Sequence, residues 1–192
     1  MKELTTAGVD EVGRGCLAGP VVSAAVILKK SIDLRLLKDS KKIPFYKREK
    51  ISEHIKNNSY YSIGIASVNE ILNLNILQAS LLSMRRAIER LTIKPGLTLI
   101  DGKFAPKGLK NCKTIINGDE KIKVISAASI IAKVYRDNFM IKLSKKFSNY
   151  AWDRNFGYCT KAHLEGLKKF GVTSYHRKSF KPVHKILSRK EF

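Results

Sequence analysis

An uncharged run of eight residues, Val21–Leu28, limits most strongly what this chain can fold into. The run is rich in valine and isoleucine, which favour extended backbone, and it is too uniformly apolar for a solvent-exposed surface. We therefore predict a buried strand. A shorter apolar run, Ala7–Val9, precedes it, and the aromatic, β-branched and alternating segment Tyr60–Ala66 follows it. The first third of the chain thus predicts three strands.

The rest of the chain alternates between strand and helix patterns. Short strands are predicted over Leu97–Asp101 and Lys113–Asn117. Helical spacing of apolar residues predicts long helices around Leu77–Leu91 and Ser126–Phe147, and shorter helices are predicted over Pro44–Ile55, Lys161–Phe170 and Val183–Leu187. This order indicates an α/β layered fold. At 192 residues we expect one domain, 1–192, with a basic helical extension over about 150–192.

The net charge of +21 and the isoelectric point near 10 point to a polyanionic partner. Residues 1–102 carry 16 basic against 10 acidic side chains, whereas residues 103–192 carry 21 against 6. The cationic surface therefore belongs mostly to the second half of the chain. Nucleic acid is the natural partner, although an inert basic surface would have the same composition.

Cysteine content and hydropathy indicate the compartment. The three cysteines are far apart and form no C-x-x-C pair, so neither a disulfide framework nor a zinc site is predicted. The longest apolar stretch, Leu17–Leu28, is interrupted by glycine, proline and serine and is too short to span a bilayer. We expect a cytoplasmic protein that makes no use of a membrane.

Acidic residues follow three of the predicted strands. Asp10 and Glu11 come after the first, Asp101 ends another, and Asp119 follows a third. Ligands gather at strand ends in open α/β sheets, and oxygen-only ligands select hard cations such as Mg²⁺ or Mn²⁺. Taken singly, each acid also fits a turn, a helix cap or a solvated loop. Asp10 and Glu11 can serve one site only if the chain leaves the strand there, because neighbouring strand residues point to opposite faces.

A series of ordered sequence blocks resembles the type 2 ribonucleases H, the ribonuclease HII family. The first block contains Ala7–Gly15 and Ala18–Val22, and the later ones are Asp39–Lys42, Leu99–Gly102, Gly118–Asp119, Ile125–Val134, Gly157–Tyr158 and His176–Phe180. The resemblance implies a ribonuclease H-like fold, in which a central mixed sheet is flanked by helices and a small helical extension follows at the carboxyl terminus.

The resemblance also implies a site. Asp10, Glu11, Asp101 and Asp119 match the four carboxylates that hold two divalent cations, Mn²⁺ or Mg²⁺, at the roughly 3.5–4 Å separation usual for such centres. Asp137 is a rival for the fourth place, but pairing with a neighbouring basic residue is the preferred interpretation.

Further matching residues imply substrate contacts. Gly13, Arg14 and Gly15 match the turn that senses the ribonucleotide 2′-hydroxyl, the group that distinguishes RNA from DNA. Tyr158 matches the tyrosine beside the ribose at the RNA–DNA junction. Lys41 and Lys42 match phosphate contacts, although a solvated turn explains lysines equally well, and the same holds for Arg177 and Lys178. His163 and His176 belong to no functional motif and are expected to be structural or surface residues.

The resemblance implies an endonuclease that hydrolyses the RNA strand of RNA–DNA hybrids and cuts 5′ of ribonucleotides embedded in duplex DNA. Its role would be the removal of misincorporated ribonucleotides, and we expect a monomer. Three alternatives stay open: a type 3 ribonuclease H, a DNA resolvase on the same fold, and a non-catalytic nucleic-acid-binding protein. One departure from the family pattern is Cys16, which stands where proline is usual and either loosens the turn or adds an oxidation-sensitive thiol.

Overall fold

A computed structural model describes residues 5–37 and 44–188 of the chain. Its centre is a sheet of five strands: β1 (Thr6–Val12), β2 (Val21–Leu28), β3 (Ser59–Ala66), β4 (Leu97–Asp101) and β5 (Cys112–Ile115). The spatial order is β3-β2-β1-β4-β5. β2 pairs antiparallel with β1 and β3, whereas β4 pairs parallel with β1 and β5. The sheet is therefore mixed, and the predicted α/β class is confirmed.

Helices cover both faces of this sheet. They are α1 (Phe45–Asn57), α2 (Val68–Glu89), α3 (Gly118–Lys121), α4 (Lys123–Ser144), α5 (Trp152–Asn155), α6 (Lys161–Phe170) and α7 (Lys181–Leu187). Ala24 and Val26 of β2 pack in one core with α4, while Ala25 packs with Met84 and Ala87 of α2 on the opposite face. Because successive strand residues alternate between faces, β2 is buried on both sides. This explains its unbroken apolar run.

The carboxyl-terminal helices form a second core around Trp152, against Leu17 and Ala18 of the loop after β1. Two buried histidines belong to it: Trp152 Nε1 donates to His163 Nε2 at 3.0 Å, and His163 Nε2 lies 3.1 Å from His176 Nε2. Burial lowers the pKa of His163, and burial together with His163 lowers the pKa of His176 to about 3. Both rings are thus neutral packing elements, as expected of structural residues.

The boundaries of several predicted elements differ from the structure, among them those of α2 and β5. α2 begins at Val68 instead of Leu77, because Ser67 and Glu70 form a capping box there, and Asn75, at φ 67°, breaks the helix into two pieces. The Asn75 side chain accepts from the amides of Leu77 and Gln78, so it caps the second piece. β5 ends at Ile115, two residues early, because Asn117 adopts a left-handed conformation at φ 55°. Within 5–37 and 44–188, no helix combines the length and apolar character needed to cross a bilayer.

Candidate active site

The site is built where the pairing between two neighbouring parallel strands, β1 and β4, ends. Pairing between β1 and β4 ends at Val9–Ile100, so Asp10 and Asp101 are the next residues at adjacent carboxyl ends. Asp10 is buried and lies on the α4 face, like Gly8 two residues earlier, whose backbone touches that of Val124. The Ser129 side chain of α4 hydrogen-bonds the Asp10 carboxyl group. The fold thus brings Asp10 and Asp101 to the same edge of the sheet.

Glu11 lines the same pocket as Asp10 although both residues lie inside β1, an arrangement that the sequence analysis did not expect. β1 does not end before Asp10 but continues to Val12, with Asp10 opposite Ala24 and Glu11 opposite Ser23 of β2. The expectation that the chain leaves the strand at these acids is therefore wrong. Both side chains nevertheless line one pocket, because β4 stops pairing at Val9 and leaves this edge of β1 open.

Asp119 enters from the short helix α3, which follows β5. The amide of Gly118 donates to Asp101 Oδ1 at 2.6 Å, so the start of α3 is tied to the end of β4. A Cβ at Gly118 would lie 2.7 Å from Ile125 Cδ1, and glycine permits this close approach. Asp119 itself is 4% exposed. Asp119 is therefore a buried residue that lines the pocket, and it does not belong to a solvated cap.

The four carboxylates line a single cavity of about 470 Å³. Its other lining residues are Val12, Gly13, Arg14, Gly15, Arg48, Ser129, Ile130, Lys133 and Tyr158. The acids thus share the cavity with the glycine-flanked arginine turn and with two further basic side chains, Arg48 and Lys133. Such a cavity suits a phosphodiester, since a cation can bridge the acids and the phosphate while basic groups neutralise the rest.

Burial makes the charges of the acidic cluster costly. It raises the pKa of Asp10 well above the usual range, and the neighbouring Glu11 and Asp101 charges add to that rise. Burial also raises the pKa of Glu11, although the Arg14 guanidinium, 3.3 Å from Glu11 Oε1, acts in the opposite direction. Both carboxylates therefore need compensating positive charge in order to remain ionised.

A hard divalent cation fits the chemistry of this donor set, which consists of carboxylate oxygens alone. As they stand, however, no three acidic, histidine or cysteine side chains among the described residues are arranged around one ion position. Glu11 is turned toward Arg14, Asp101 accepts from Gly118, and Asp10 accepts from the Glu11 amide. Three of the four acids are thus held by protein donors, and Arg14 contacts only one of the two Glu11 carboxylate oxygens.

The turn Gly13–Gly15 and Tyr158 border the cavity from another side. Gly13 adopts φ 97°, which a non-glycine residue avoids, and its carbonyl accepts from the Cys16 amide at 3.4 Å. Tyr158 is 39% exposed, so its ring is available to a ligand. Lys133 lies 4.9 Å from the Phe156 ring centroid and 5.7 Å from that of Tyr158. The predicted sensing turn and the predicted tyrosine therefore lie at one cavity.

Three polar cavity residues were not predicted: Arg48, Ser129 and Lys133. Ser129 and Lys133 lie four residues apart on α4 and belong to the Ile125–Val134 block, so the spacing on one helix face was a usable signal. Arg48 of α1 gave no signal, because its place beside the cavity depends on packing between α1 and α4.

Asp137 is buried beside the cavity but does not line it. Lys133 Nζ donates to Asp137 Oδ1 at 2.7 Å, and Arg48 Nη1 lies 3.6 Å from Asp137 Oδ2. These ion pairs support the preferred interpretation of Asp137 as the partner of neighbouring basic residues. Asp137 thus holds the side chains of Lys133 and Arg48, which line the cavity, in place.

The other predicted substrate contacts divide into three cases. Lys41 and Lys42 lie outside the described residues. Lys178 is exposed, as a phosphate contact requires. Arg177 is 1% exposed and donates to the carbonyls of Gly19, Arg14 and Pro20, so the prediction of a solvent-facing phosphate contact is wrong for this residue.

Cys16 is completely buried, and burial raises the pKa of its thiol. A buried thiol with a raised pKa is a poor target for oxidation. Of the two consequences considered for the missing proline, the structure therefore favours the effect on backbone stiffness.

Comparisons with known proteins agree with this geometry. The family model "Ribonuclease HII" matches residues 7–183. The ribonuclease HII of Pelagibacter ubique (strain HTCC1062) is 60% identical over 183 residues, covering 94% of this chain and 98% of that protein. That of Ruegeria pomeroyi is 50% identical over 182 residues, covering 94% and 78%. The crystal structure of ribonuclease H2 from Pyrococcus horikoshii OT3 superposes with a TM-score of 0.81 at 27% identity, covering 98% of this chain and 99% of that one. The chain therefore belongs to the ribonuclease HII family, and it is a metal-dependent nuclease of ribonuclease H fold that acts on RNA–DNA hybrids.

Proposed function

We propose that this enzyme cuts 5′ of ribonucleotides embedded in duplex DNA, as well as within the RNA strand of hybrids, and so removes misincorporated ribonucleotides. The observation that carries the proposal is the shared cavity: four carboxylates, the Gly13–Gly15 turn and Tyr158 all line it. A nuclease without ribose selectivity would need the acids but not a close-fitting turn beside them.

The acidic residues would hold two divalent cations, Mn²⁺ or Mg²⁺, with Asp10, Glu11, Asp101 and Asp119 as ligands. When bound, such cations supply a water of lowered pKa and neutralise charge on the leaving oxygen. The protein fixes the ligands: the Gly118 amide orients Asp101, and Ser129 orients Asp10. Release of Glu11 from Arg14 would free the guanidinium of Arg14, 49% exposed at its side chain, for a substrate phosphate.

The turn and Tyr158 would recognise the ribose. Peptide groups of Gly13, Arg14 and Gly15 can approach a 2′-hydroxyl closely because Gly15 carries no side chain and nothing lies within 4 Å of its Cβ position. Tyr158 would pack against the sugar. Lys41 and Lys42 remain proposed phosphate contacts on the family resemblance.

Further features of the proposal concern the setting of the reaction. The basic extension over about 150–192 would add binding surface for the duplex, with Lys178 exposed on it. We propose that the enzyme works as a monomer in the cytoplasm, where its three free cysteines would stay reduced.

A cleavage assay tests the proposal. The protein is incubated with Mg²⁺ or Mn²⁺ and a DNA duplex that contains one ribonucleotide, beside an all-DNA duplex of the same sequence. We expect one cut, 5′ of the ribonucleotide, that leaves 3′-hydroxyl and 5′-phosphate ends. Equal cutting of both duplexes, or none at the ribonucleotide, would refute it.

The ligand assignment has its own test in Asp101→Asn. This change keeps the size of the side chain and an oxygen acceptor for the Gly118 amide but removes the negative charge. Cleavage should be lost, while the affinity for an RNA–DNA hybrid, measured by fluorescence anisotropy, should be retained. Full activity of the variant would show that the metal site lies elsewhere.

A further inference from the structure

Two arginines, Arg136 of α4 and Arg177 after α6, are buried beneath the loop that joins β1 to β2. They are 0% and 1% exposed, and neither forms a salt bridge with any described residue. Their guanidinium groups bond to backbone carbonyls instead. Burying a cation that forms no salt bridge is costly, and burial lowers the pKa of Arg177 to about 9. Such an arrangement is expected to serve a purpose other than stability.

The carbonyls that they hold belong to the segments that border the cavity. Arg177 donates to the carbonyl of Arg14 at 2.9 Å and to that of Gly19 at 3.0 Å. Arg136 donates to the carbonyl of Ala18 at 2.9 Å and to that of Phe156, two residues before Tyr158, at 2.8 Å. Arg177 thus hydrogen-bonds the central residue of the Gly13–Gly15 turn, and Arg136 hydrogen-bonds the segment that carries Tyr158.

A shared acceptor joins the two arginines into one unit. The Pro20 carbonyl accepts from Arg136 Nε at 2.9 Å and from Arg177 Nη2 at 3.3 Å. Backbone hydrogen bonds run in parallel, because the Leu17 amide donates to Gly157 at 2.8 Å and the Arg177 amide donates to Leu17 at 2.8 Å. The turn and Tyr158 are therefore cross-linked through the loop.

Both arginines and the loop are closely packed, so there is little room for them to shift. A Cβ at Gly13 would lie 2.8 Å from Arg136 Cδ and 2.9 Å from its Cζ. A Cβ at Gly157 would lie 2.6 Å from the Ala18 carbonyl oxygen. Since interiors this dense transmit small displacements, a shift of either guanidinium group would move the turn relative to Tyr158.

We propose that Arg136 and Arg177 are positioning residues that set the separation between the Gly13–Gly15 turn and Tyr158, and thereby the selectivity for a 2′-hydroxyl. The inference rests on the proposed function of that turn. Arginine suits the task because its planar fork binds several carbonyls in fixed directions, whereas a lysine ammonium in the same space imposes no such geometry.

The test uses Arg136→Lys and Arg177→Lys, which keep the charge but lose the fork. The readout is the ratio of cleavage rates on two duplexes that carry either one ribonucleotide or its 2′-fluoro analogue at the same position. Because both rates scale with the amount of folded enzyme, the ratio is insensitive to partial unfolding. We expect the ratio to fall about tenfold or more, the effect of a small misplacement of a substrate-contacting element.

Arg86→Lys is the matched control. Arg86 donates to the Ile65 carbonyl at 2.7 Å and pairs with Glu70, on α2 and away from the cavity. It should lower the melting temperature but leave the ratio at the wild-type value. An unchanged ratio in Arg136→Lys and Arg177→Lys overturns the inference, and so does failure of both to fold at 4 °C, which would make them general folding residues. A wild-type ratio near one would instead refute the proposed function.

Discussion

Replacement of Gly13 by alanine should destabilise the protein severely. At φ 97° the new Cβ is strained, which costs roughly 1–2 kcal/mol. The same Cβ would overlap the buried Arg136 side chain, whose Cδ would lie only 2.8 Å away. Displacing Arg136 breaks at least one of its three hydrogen bonds to carbonyls, each worth roughly 1.5–3 kcal/mol because the donor is charged.

The two terms together amount to about 2.5–5 kcal/mol, a large share of the typical 5–15 kcal/mol of a folded domain. For a chain of this length, about 2–4 °C of melting temperature is lost per kcal/mol, so we expect a fall of about 5–20 °C. Thermal melts followed by circular dichroism measure it directly.

Gly15→Ala is the control in the same turn. Gly15 has no positive φ, and nothing lies within 4 Å of its Cβ position, so its melting temperature should stay within a few degrees of the wild type. A Gly13→Ala protein that melts within 2 °C of the wild type would refute the reasoning, because Arg136 would then have moved aside without any loss of stability.

Three further outcomes are expected. Asp137→Asn should lower the free energy of unfolding by about 3 kcal/mol, because it leaves Arg48 and Lys133 without their charged partner, yet it should retain metal-dependent cleavage. Asp119→Asn should lose cleavage but keep its stability. Exchanged phenotypes of these two variants would show that the fourth ligand is misassigned. Below pH 6.5 the unfolded chain protonates His176 while the folded protein resists protonation down to about pH 3, so unfolding should become easier by roughly 1.4 kcal/mol per pH unit for this ring, and the lowered pKa of His163 acts in the same direction. The difference between wild type and His176→Gln in melts from pH 7 to pH 5 isolates this effect, and parallel profiles would contradict it. Chelation of divalent cations should abolish cleavage but leave hybrid binding nearly unchanged, which fluorescence anisotropy can check.

Local pattern sufficed for most of the fold. The apolar run of β2 predicted a buried strand, and helical spacing predicted α4 to within three residues at each end. These elements are readable because strand and helix periodicities repeat within a few residues of sequence. The early start of α2 and its break at Asn75 were missed, since a side chain that caps its own backbone interrupts the periodicity without an apolar signal.

The sequence by itself determined which acids could form a site, because Asp10, Glu11, Asp101 and Asp119 follow or end strand patterns and match family blocks. Only the tertiary structure decided how the acids share one cavity, with Glu11 still inside β1. It also decided that Arg177 faces the interior, where it holds a carbonyl 163 residues away, and that Asp137 pairs with Arg48, 89 residues away. The physical reason is that a charged side chain takes its role from the charges and carbonyls packed around it. Those neighbours come from distant parts of the chain, and no local pattern records them.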